Sequence, residues 1–301
     1  MVSQPYDDGV AVDPAGAPPV VRSRNFWQDV ARRLSRDPVT LVCLTILVLI
    51  LVIALLAPFI APADPFKTSM VNRLKPPGTP GYLLGTDELG RDLLSRLIYG
   101  GRLSLFMGFT PVLVATLIGG GLGILAGFAG GWVNTAIMRT MDVFYAFPSV
   151  LLAVAISGAL GGGVFNGLLS LTLVFIPSIA RVSESVTIQV RTQDFVEAAR
   201  ATGAYPYQIL VSHVLKNVTG PIFVYASSLI SVSIVIASGL SFLGLGVSPP
   251  QAEWGLMLSN LRQSVYVAPI NSILPGVMIF VTSLCFNLTS DGFRSAMNVK
   301  G

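Results

Sequence analysis

The sequence contains five long runs without a single acidic or basic side chain, and these runs limit what the chain can fold into. They cover residues 38–63, 103–138, 143–180, 217–252 and 263–290. Each run exceeds the roughly 20 residues that a helix needs to cross a bilayer. Only 11% of the residues are charged, against about 25% in soluble domains. We therefore expect an all-α, polytopic membrane protein.

The third run divides into two because glycine interrupts it. Residues 158–163 read GALGGG, a stretch too flexible to remain helical. The sequence thus predicts six transmembrane helices. We place them at residues 39–60, 103–128, 135–157, 164–182, 222–243 and 271–288.

Basic residues before the first span determine the predicted orientation. Five arginines lie within residues 22–36, and the positive-inside rule then puts the N-terminus in the cytoplasm. Six crossings return the C-terminus to the same side, so we expect a multi-pass protein of the cell membrane with both termini cytoplasmic. The segment between the first two spans would be external, yet it is also rich in lysine and arginine. Charge alone therefore does not decide the orientation of the chain in the membrane.

These features divide the chain into four parts. The N-terminal tail contains Trp27, Val30, Ala31 and Leu34 at helical spacing with arginines between them, a pattern typical of a helix lying on a membrane surface. The first span and an external segment come next, followed by a core of five spans with a polar cytoplasmic loop at 191–220. A short cytoplasmic tail ends the chain. The boundaries are residues 1–37, 38–101, 102–290 and 291–301.

The sequence has no arrangement of residues typical of an enzyme. It lacks the glycine–lysine motif that holds nucleotide phosphates, lacks the zinc-protease and serine-hydrolase motifs, and has a single histidine. Cys43 and Cys285 fall in apolar spans, where we expect packing residues rather than a disulfide or a metal pair. The chain is therefore expected not to be an enzyme and to bind no cofactor or metal itself.

Few polar side chains fall within the predicted spans. Arg139, Asp142 and Arg181 lie near predicted cytoplasmic helix ends, where charged side chains commonly reach the membrane surface. Other polar residues either line a polar passage or form hydrogen bonds between helices, and the sequence does not choose between these roles. These pore-lining candidates are Ser227, Ser231, Ser238 and Asn287.

One loop, between the fourth and fifth spans, is too polar for the bilayer and carries helix signals. Asp194 can cap a short helix, and Glu197, three residues on, can complete a capping box. Gly203 is suited to stop this helix. Pro206 suits the first turn of a second helix, which we expect to extend to about Leu215. The predicted arrangement is helix, glycine bend, helix.

The first of these helices has very small side chains at Ala198, Ala199 and Ala201. Such side chains let a groove of another protein approach the helix backbone closely, which favours a docking element. The alternative is a capped, solvated helix without a partner, and the loop by itself does not exclude it.

The spacing of residues in this loop follows a known pattern. Residues 197–199 read Glu-Ala-Ala, Gly203 follows after three residues, and Leu215 lies near the end of the loop. This resembles the cytoplasmic loop of binding-protein-dependent ABC importer permeases, in which Glu-Ala-Ala, three residues, Gly, nine residues, Ile, one residue and Leu-Pro follow one another. His213 stands in place of Ile and Lys216 in place of Pro, and these departures affect only the exit from the second helix.

Several blocks outside the loop extend the resemblance. They are GTDELGRDLLSRLIYGGRLSL at 85–105, MRTMD at 138–142 with FP at 147–148, FLGLG at 242–246 with PP at 249–250, EWG at 253–255 and DGFR at 291–294. In content and order they are similar to the C-type permeases for dipeptides, oligopeptides and nickel. The resemblance implies the type I ABC importer permease fold of six helices, with a cytoplasmic coupling helix between the fourth and fifth.

The same resemblance implies partners. The chain would form half of a translocation pore with a homologous B-type permease, surrounded by membrane lipid. Cytoplasmic ABC ATPase subunits would bind ATP and Mg, and an extracytoplasmic solute-binding protein would deliver the substrate. The expected substrate is a di- or oligopeptide, with nickel chelate, glutathione or haem as alternatives. A stand-alone ion-coupled transporter or channel is the alternative from a different class.

The resemblance also implies roles for single residues. Those implied to couple to the ATPase are Glu197, Ala198, Ala199, Ala201, Gly203 and Leu215. Those implied to close the external end or to contact the binding protein are Gly85, Thr86, Asp87, Gly90, Arg91, Asp92, Glu253 and Trp254. Local turn capping is an alternative role for Thr86, Asp87 and Asp92.

Overall fold

The computed structural model describes residue 32 and residues 34–297 of the chain. These residues form helices and connecting turns, with no β-strand among them. The all-α prediction is therefore confirmed for the described part. The predicted surface helix of the N-terminal tail lies almost wholly outside the described residues and stays a prediction.

Five long helices and six shorter ones make up the described part of the chain. The long helices are α1 (Pro38–Leu55), α3 (Leu93–Ala129), α6 (Val164–Arg191), α9 (Leu215–Phe242) and α11 (Pro269–Met297). The shorter helices are α2 (Ala57–Ile60), α4 (Gly131–Tyr145), α5 (Ser149–Leu160), α7 (Asp194–Ala201), α8 (Pro206–Ile209) and α10 (Trp254–Leu261). A π turn at Leu210–Val214 joins α8 to α9.

The lengths and apolar composition of these helices agree with the six predicted spans. Five helices in the described residues are long and apolar enough to cross a membrane, one of them running without a break from Pro206 to Phe242. Helices α4 and α5 are bent by 84° relative to each other and are long and apolar enough only as a pair, which gives a sixth span if the pair is counted as one.

The third predicted span, at 135–157, is wrong as a straight helix. The chain leaves α4 after Tyr145 and enters α5 at Ser149. Pro148, between them, is extended at φ −56° and ψ 126°. Proline has no N–H to donate and disfavours the helical conformation of the residue before it, so it interrupts an otherwise uniformly apolar run.

Two spans begin earlier than predicted. Helix α3 begins at Leu93 rather than at residue 103, because a carboxylate oxygen of Asp92 accepts the backbone N–H of Ser95 at 2.8 Å and caps the helix. The second loop helix does not end near Leu215. It passes through the π turn into α9, so the fifth span begins at Pro206 rather than at residue 222.

Helices α3 and α6 pack with their backbones in contact. A Cβ atom added at Gly127 would lie 2.8 Å from the carbonyl oxygen of Glu184, and one at Gly123 would overlap the carbonyl oxygen of Ala180. Glycines four residues apart on one face allow this approach in membrane helices, where close packing rather than water drives association. Together α3 and α6 form the centre of the bundle.

A side chain at Gly123 should separate these two helices. We expect Gly123→Leu to lower the free energy of unfolding by at least about 2 kcal/mol, because the backbone of α6 cannot move aside as a side chain could. Thermal unfolding in detergent measures the change. Gly121→Leu is the matched control, since nothing lies within 4 Å of a Cβ at that position. Equal unfolding temperatures for the two variants would contradict the packing argument.

The bundle has two distinguishable ends. At the first, which we call the Gly203 end, a Cβ added at Gly220 would lie 2.6 Å from Cε of Met297, so the end of α11 lies near the start of α9. At the other, the Trp254 end, the side-chain amide of Asn271 donates to the carbonyl oxygen of Lys75 at 2.9 Å. A Cβ added at Gly292 of α11 would overlap the side chain of Thr40, so α1 begins at the Gly203 end, where α11 also ends.

Candidate functional site

Helix α7 begins without the predicted side-chain cap. The cap position is held by Gln193 in extended conformation, at φ −84° and ψ 149°, and no side chain bonds to the helix N-terminus. The predicted capping box of Asp194 and Glu197 is therefore wrong, because the helix starts one residue earlier than the box requires. Both acids lie in the first turn, where their charges are favourable beside the positive end of the helix dipole.

The predicted stop at Gly203 is confirmed. Its φ is +81°, a left-handed conformation that side chains disfavour. The Gly203 N–H donates to the carbonyl oxygen of Arg200 at 3.0 Å, and the Ala204 N–H donates to that of Ala199 at 3.1 Å. These two bonds form a Schellman motif, which satisfies carbonyl groups left free at the end of α7.

One side of α7 is anchored to the bundle. Val196 is fully buried and belongs to an apolar cluster with Val190, Ile209, Val214 and Val218. Those residues come from α6, α8, the π turn and α9. Because α8 continues into the fifth span, Val196 connects α7 to a membrane-crossing helix.

The opposite side of α7 faces outward. Glu197, Ala198 and Ala201 are exposed, and so is Gly203, where nothing lies within 4 Å of an added Cβ. Of the other residues with a predicted coupling role, Ala199 is half-buried against the anchoring cluster. Leu215 is exposed but lies on α9 rather than at the end of a separate helix.

Two exposed tyrosines beside α7 were not found from the sequence. Tyr205 and Tyr207 flank Pro206 and are 73% and 74% exposed. Large aromatic side chains in a polar loop were the available signal, since aromatic residues are over-represented at protein interfaces. They follow α7 in the chain and are exposed, as are Glu197, Ala198 and Ala201.

A buried network of charged side chains lies at the Trp254 end. The Nε atom of Arg91 donates to Oδ2 of Asp87 at 2.6 Å, and Nε of Arg96 lies 3.2 Å from the same oxygen. Arg96 also donates to the carbonyl oxygens of Pro65 at 3.0 Å and Gln251 at 3.2 Å. The network ties the segment before α3 to the turn before α10.

We expect Arg96→Met to be strongly destabilising. Loss of this guanidinium leaves the buried carbonyl of Pro65 and the partly buried carbonyl of Gln251 without this donor. It also weakens the pairing of Asp87, so the free energy of unfolding should fall by about 3 kcal/mol. Thermal unfolding in detergent tests this, with Arg73→Met at an exposed position as control. If the two substitutions shift the unfolding temperature equally, the network does not hold this end together.

Glu253 is the N-cap of α10. Its carboxylate accepts the backbone N–H groups of Gly255 and Leu256, each at 2.8 Å, and the hydroxyl of Ser104 at 3.1 Å. Burial raises the pKa of Glu253 by desolvating the charged form, and these hydrogen bonds oppose that rise. The next side chain, Trp254, donates its indole N–H to the carbonyl oxygen of Leu97 at 2.9 Å.

The residues predicted to close this end or to contact a binding protein lie inside it. Thr86, Asp87, Arg91, Asp92, Glu253 and Trp254 are each at most 3% exposed. Gly85 and Gly90 have positive φ, and a Cβ at either would overlap a backbone carbonyl oxygen. Buried groups do not contact a separate protein unless this end rearranges. Closure of the external end and partner contact both stay predictions.

The four pore-lining candidates differ in burial and in hydrogen bonding. The hydroxyl of Ser227 lies 2.9 Å from that of Ser290 on α11, an interhelical hydrogen bond. Ser231 and Ser238 are buried, and Ser231 donates to the carbonyl oxygen of Ser228 within its own helix. Asn287 alone of the four is exposed. A pore-lining role stays a prediction for all four.

Two sequence families match the chain. The model described as "Binding-protein-dependent transport system inner membrane component" matches residues 119–298. The model described as "N-terminal TM domain of oligopeptide transport permease C" matches residues 25–77.

Several characterised proteins are similar over almost their whole length. The glutathione transport system permease protein GsiD of Pectobacterium atrosepticum is 38% identical over 285 residues, covering 94% of this chain and 95% of that protein. The di/tripeptide transport system permease protein DppC of Pseudomonas aeruginosa is 40% identical over 282 residues, covering 92% of each. The dipeptide transport system permease protein DppC of Alkalihalophilus pseudofirmus is 38% identical over 274 residues, covering 91% and 90%.

Among solved structures, the inward-facing MetNI methionine ABC transporter has a similar fold. The match has a TM-score of 0.55 at 18% identity and covers 68% of this chain and 97% of that one. At this identity the match concerns the fold alone. It agrees with the predicted type I importer permease architecture.

Proposed function

The chain belongs to the family of binding-protein-dependent transport system inner membrane components, and from that premise we propose how it is driven and what it carries. It is a multi-pass membrane protein and a pore subunit of an ABC importer of the peptide-permease type. Its family is a transport component rather than a catalytic one, and an ABC importer contains ATPase subunits as well. We propose that this chain is driven by them through α7.

The observation that carries this proposal is the construction of α7. One side is fixed to the bundle by the fully buried Val196, and the other presents Glu197, Ala198 and Ala201 outward. A helix with small exposed side chains can enter a groove of a partner, and its rigid attachment to the fifth span transmits the partner's movement. A solvated loop without a partner needs neither feature.

We propose that the Gly203 end lies in the cytoplasm. The arginines that precede α1 support this orientation through the positive-inside rule, since α1 begins at that end. Cytoplasmic ABC ATPase subunits would then bind ATP and Mg beneath α7, and this chain would contribute no cofactor. A homologous B-type permease would complete the pore, and an extracytoplasmic solute-binding protein would deliver substrate at the Trp254 end.

The proposed substrate is a small peptide. Relatives at 37–40% identity are named for dipeptides, di/tripeptides and glutathione, and all three are short peptides with free carboxylates. We infer that the passage formed by this chain handles molecules of that size and charge.

The ATPases would close on ATP binding, push α7, and move the spans between states open to opposite sides of the membrane.

Cross-linking tests the proposed arrangement of subunits. A cysteine placed at Ala198 in the complete complex should form a cross-link to an ATPase subunit through a short bifunctional thiol reagent. The control is a cysteine at Tyr266, which is 95% exposed near the start of α11. It should link to no ATPase subunit. An ATPase cross-link from residue 266 but not from 198 would refute both the docking surface and the orientation.

A further inference from the structure

Three charged side chains gather beside the bend between α4 and α5. Asp142 pairs through Oδ1 with Arg181 of α6, and its Oδ2 lies 3.8 Å from Nη1 of Arg139. The Arg181 guanidinium also lies over the ring of Tyr145, 5.0 Å from its centre. The two arginines and one aspartate give this charged cluster a formal charge of +1.

Arg181 does not lie near the end of its helix, where the sequence placed it. Helix α6 continues to Arg191, ten residues beyond Arg181, rather than ending near residue 182. At about 1.5 Å per residue, Arg181 lies about 15 Å from that end of a helix about 42 Å long. The hydrocarbon core is about 30 Å thick. Even if the whole excess of about 12 Å lay at the Gly203 end, the Cα of Arg181 in an upright helix would be within the core.

These charges are also not enclosed by the chain itself. The side chains of Arg139, Arg181 and Asp142 are 80%, 52% and 40% exposed. Lipid tails cannot solvate ionised groups, and such groups in membrane helices usually face a water-filled cavity or another protein. The exposure of these charges favours water or another protein over lipid at this face of the cluster.

The bend beside the cluster leads to the same conclusion independently. The helix is interrupted between Tyr145 and Ser149, and Phe147 in this break is 58% exposed. Non-helical backbone at membrane depth is tolerated only inside protein or beside water. Broken helices in transporters commonly form the substrate site. The bend follows Arg139 and Asp142 directly along the chain, so both features favour an aqueous passage on this side of the bundle.

We propose that Arg139, Arg181 and Asp142 form a carboxylate-binding station on the passage, which receives the terminal carboxylate of a peptide in transit. This inference rests on the proposed transport of peptides. Asp142 is the resident counterion of both arginines, and a peptide carboxylate has the same chemistry and replaces it on Arg139 and Arg181. Exchange of one carboxylate for another keeps binding weak, and a transport site must release what it binds.

The first arm of the test measures access of water to the station. Val143 is one turn from Arg139 on the same face of α4 and is 64% exposed, whereas Met141 is 5% exposed. Val143→Cys and Met141→Cys are made in the complete complex, with the wild type as baseline because Cys43 and Cys285 are buried. Anionic sulfonatoethyl and cationic trimethylammonium-ethyl methanethiosulfonates are applied, with and without L-alanyl-L-alanine.

We expect labelling at residue 143 and none at 141. After normalisation to a free thiol, the anionic reagent should react about tenfold faster than the cationic one, because the arginines concentrate anions. Saturating L-alanyl-L-alanine should slow the reaction. No labelling at 143 with or without ATP would mean that lipid or protein covers the face. Equal rates for the two reagents, or no protection by the dipeptide, would refute a carboxylate site.

The second arm measures uptake of L-alanyl-L-alanine by the reconstituted complex. Arg181→Gln should lower uptake at subsaturating dipeptide at least about tenfold, and Arg181→Lys should restore part of it because the charge remains. Uptake unchanged in Arg181→Gln would overturn the station. Absence of ATP-driven uptake of any peptide by the wild-type complex would instead refute the proposed peptide function, so the two failures are distinct.

Discussion

Replacing Ala198 with tryptophan should abolish ATP-driven uptake while leaving the bundle folded. Ala198 is exposed in the middle of α7 and touches none of the anchoring cluster. An indole in its place does not disturb the core, but it holds the backbone of α7 away from the floor of a partner's groove. A contact at the centre of an interface is worth about 2 kcal/mol or more, so uptake should fall at least about 20-fold.

Coupling of ATP hydrolysis to uptake requires that both quantities be measured in the same preparation. Uptake of L-alanyl-L-alanine and ATP hydrolysis are followed in proteoliposomes that contain the complete complex. The matched control is Gln189→Trp, at an exposed position of α6 before the loop. Uptake should be lost in Ala198→Trp and retained in Gln189→Trp, with equal amounts of both proteins in the membrane. Normal coupled uptake by Ala198→Trp would remove α7 from the mechanism.

Replacing Val196 with aspartate should disconnect the same helix from the opposite side. Val196 is 0% exposed, and its partners are apolar side chains of α6, α8 and α9. An unpaired carboxylate there should destabilise the attachment of α7 by at least about 4 kcal/mol. The outward surface of α7 is unchanged, so the ATPase can still bind, but its movement no longer reaches the fifth span.

Limited proteolysis and transport distinguish this result from general unfolding. In Val196→Asp we expect faster cleavage between residues 191 and 206, an unchanged thermal transition of the spans, and loss of uptake. Val211→Asp is the matched control, because Val211 is 39% exposed in the π turn. Transport at the wild-type level with α7 released would contradict transmission through Val196.

The spans could be predicted from sequence because the bilayer imposes both their length and their composition. An apolar run of about 20 residues without a charged side chain is typical of a membrane-spanning helix. The predicted spans were wrong where local stereochemistry, rather than hydropathy, decides where a helix bends or begins. Pro148 bends the third span by 84° without any change in hydropathy. Likewise, the cap formed by Asp92 extends α3 into sequence polar enough to resemble a loop.

The loop at the Gly203 end was predictable in part. The stop at Gly203 followed from a requirement of one residue type for one backbone conformation. The N-cap of α7 could not be predicted in this way. Asp194 is equally suited to the cap position and to the first turn, and only the path of the preceding chain decides between them. The burial of Val196 depends on four other segments, and periodicity in an eight-residue helix cannot reveal it.

The Trp254 end was the least predictable part of the structure. Glu253 was predicted to close the external end or to contact a binding protein, yet it is buried and accepts the N–H of Leu256. Arg96 is also buried and donates to the carbonyl oxygen of Gln251. The partner of Arg96 is 155 residues away in sequence. Long-range pairing of this kind leaves no local pattern, so a single sequence cannot separate a structural charge from an exposed one.

We expect this chain to carry out no chemistry itself and to move substrate only when ATPase subunits drive it. Uptake of labelled L-alanyl-L-alanine is compared in proteoliposomes that hold the complete complex with its binding protein and in proteoliposomes that hold this chain alone. We expect uptake by the complex to require ATP and to be absent for the isolated chain under any ion gradient. Uptake by the isolated chain that follows a proton or sodium gradient without ATP would contradict the claim.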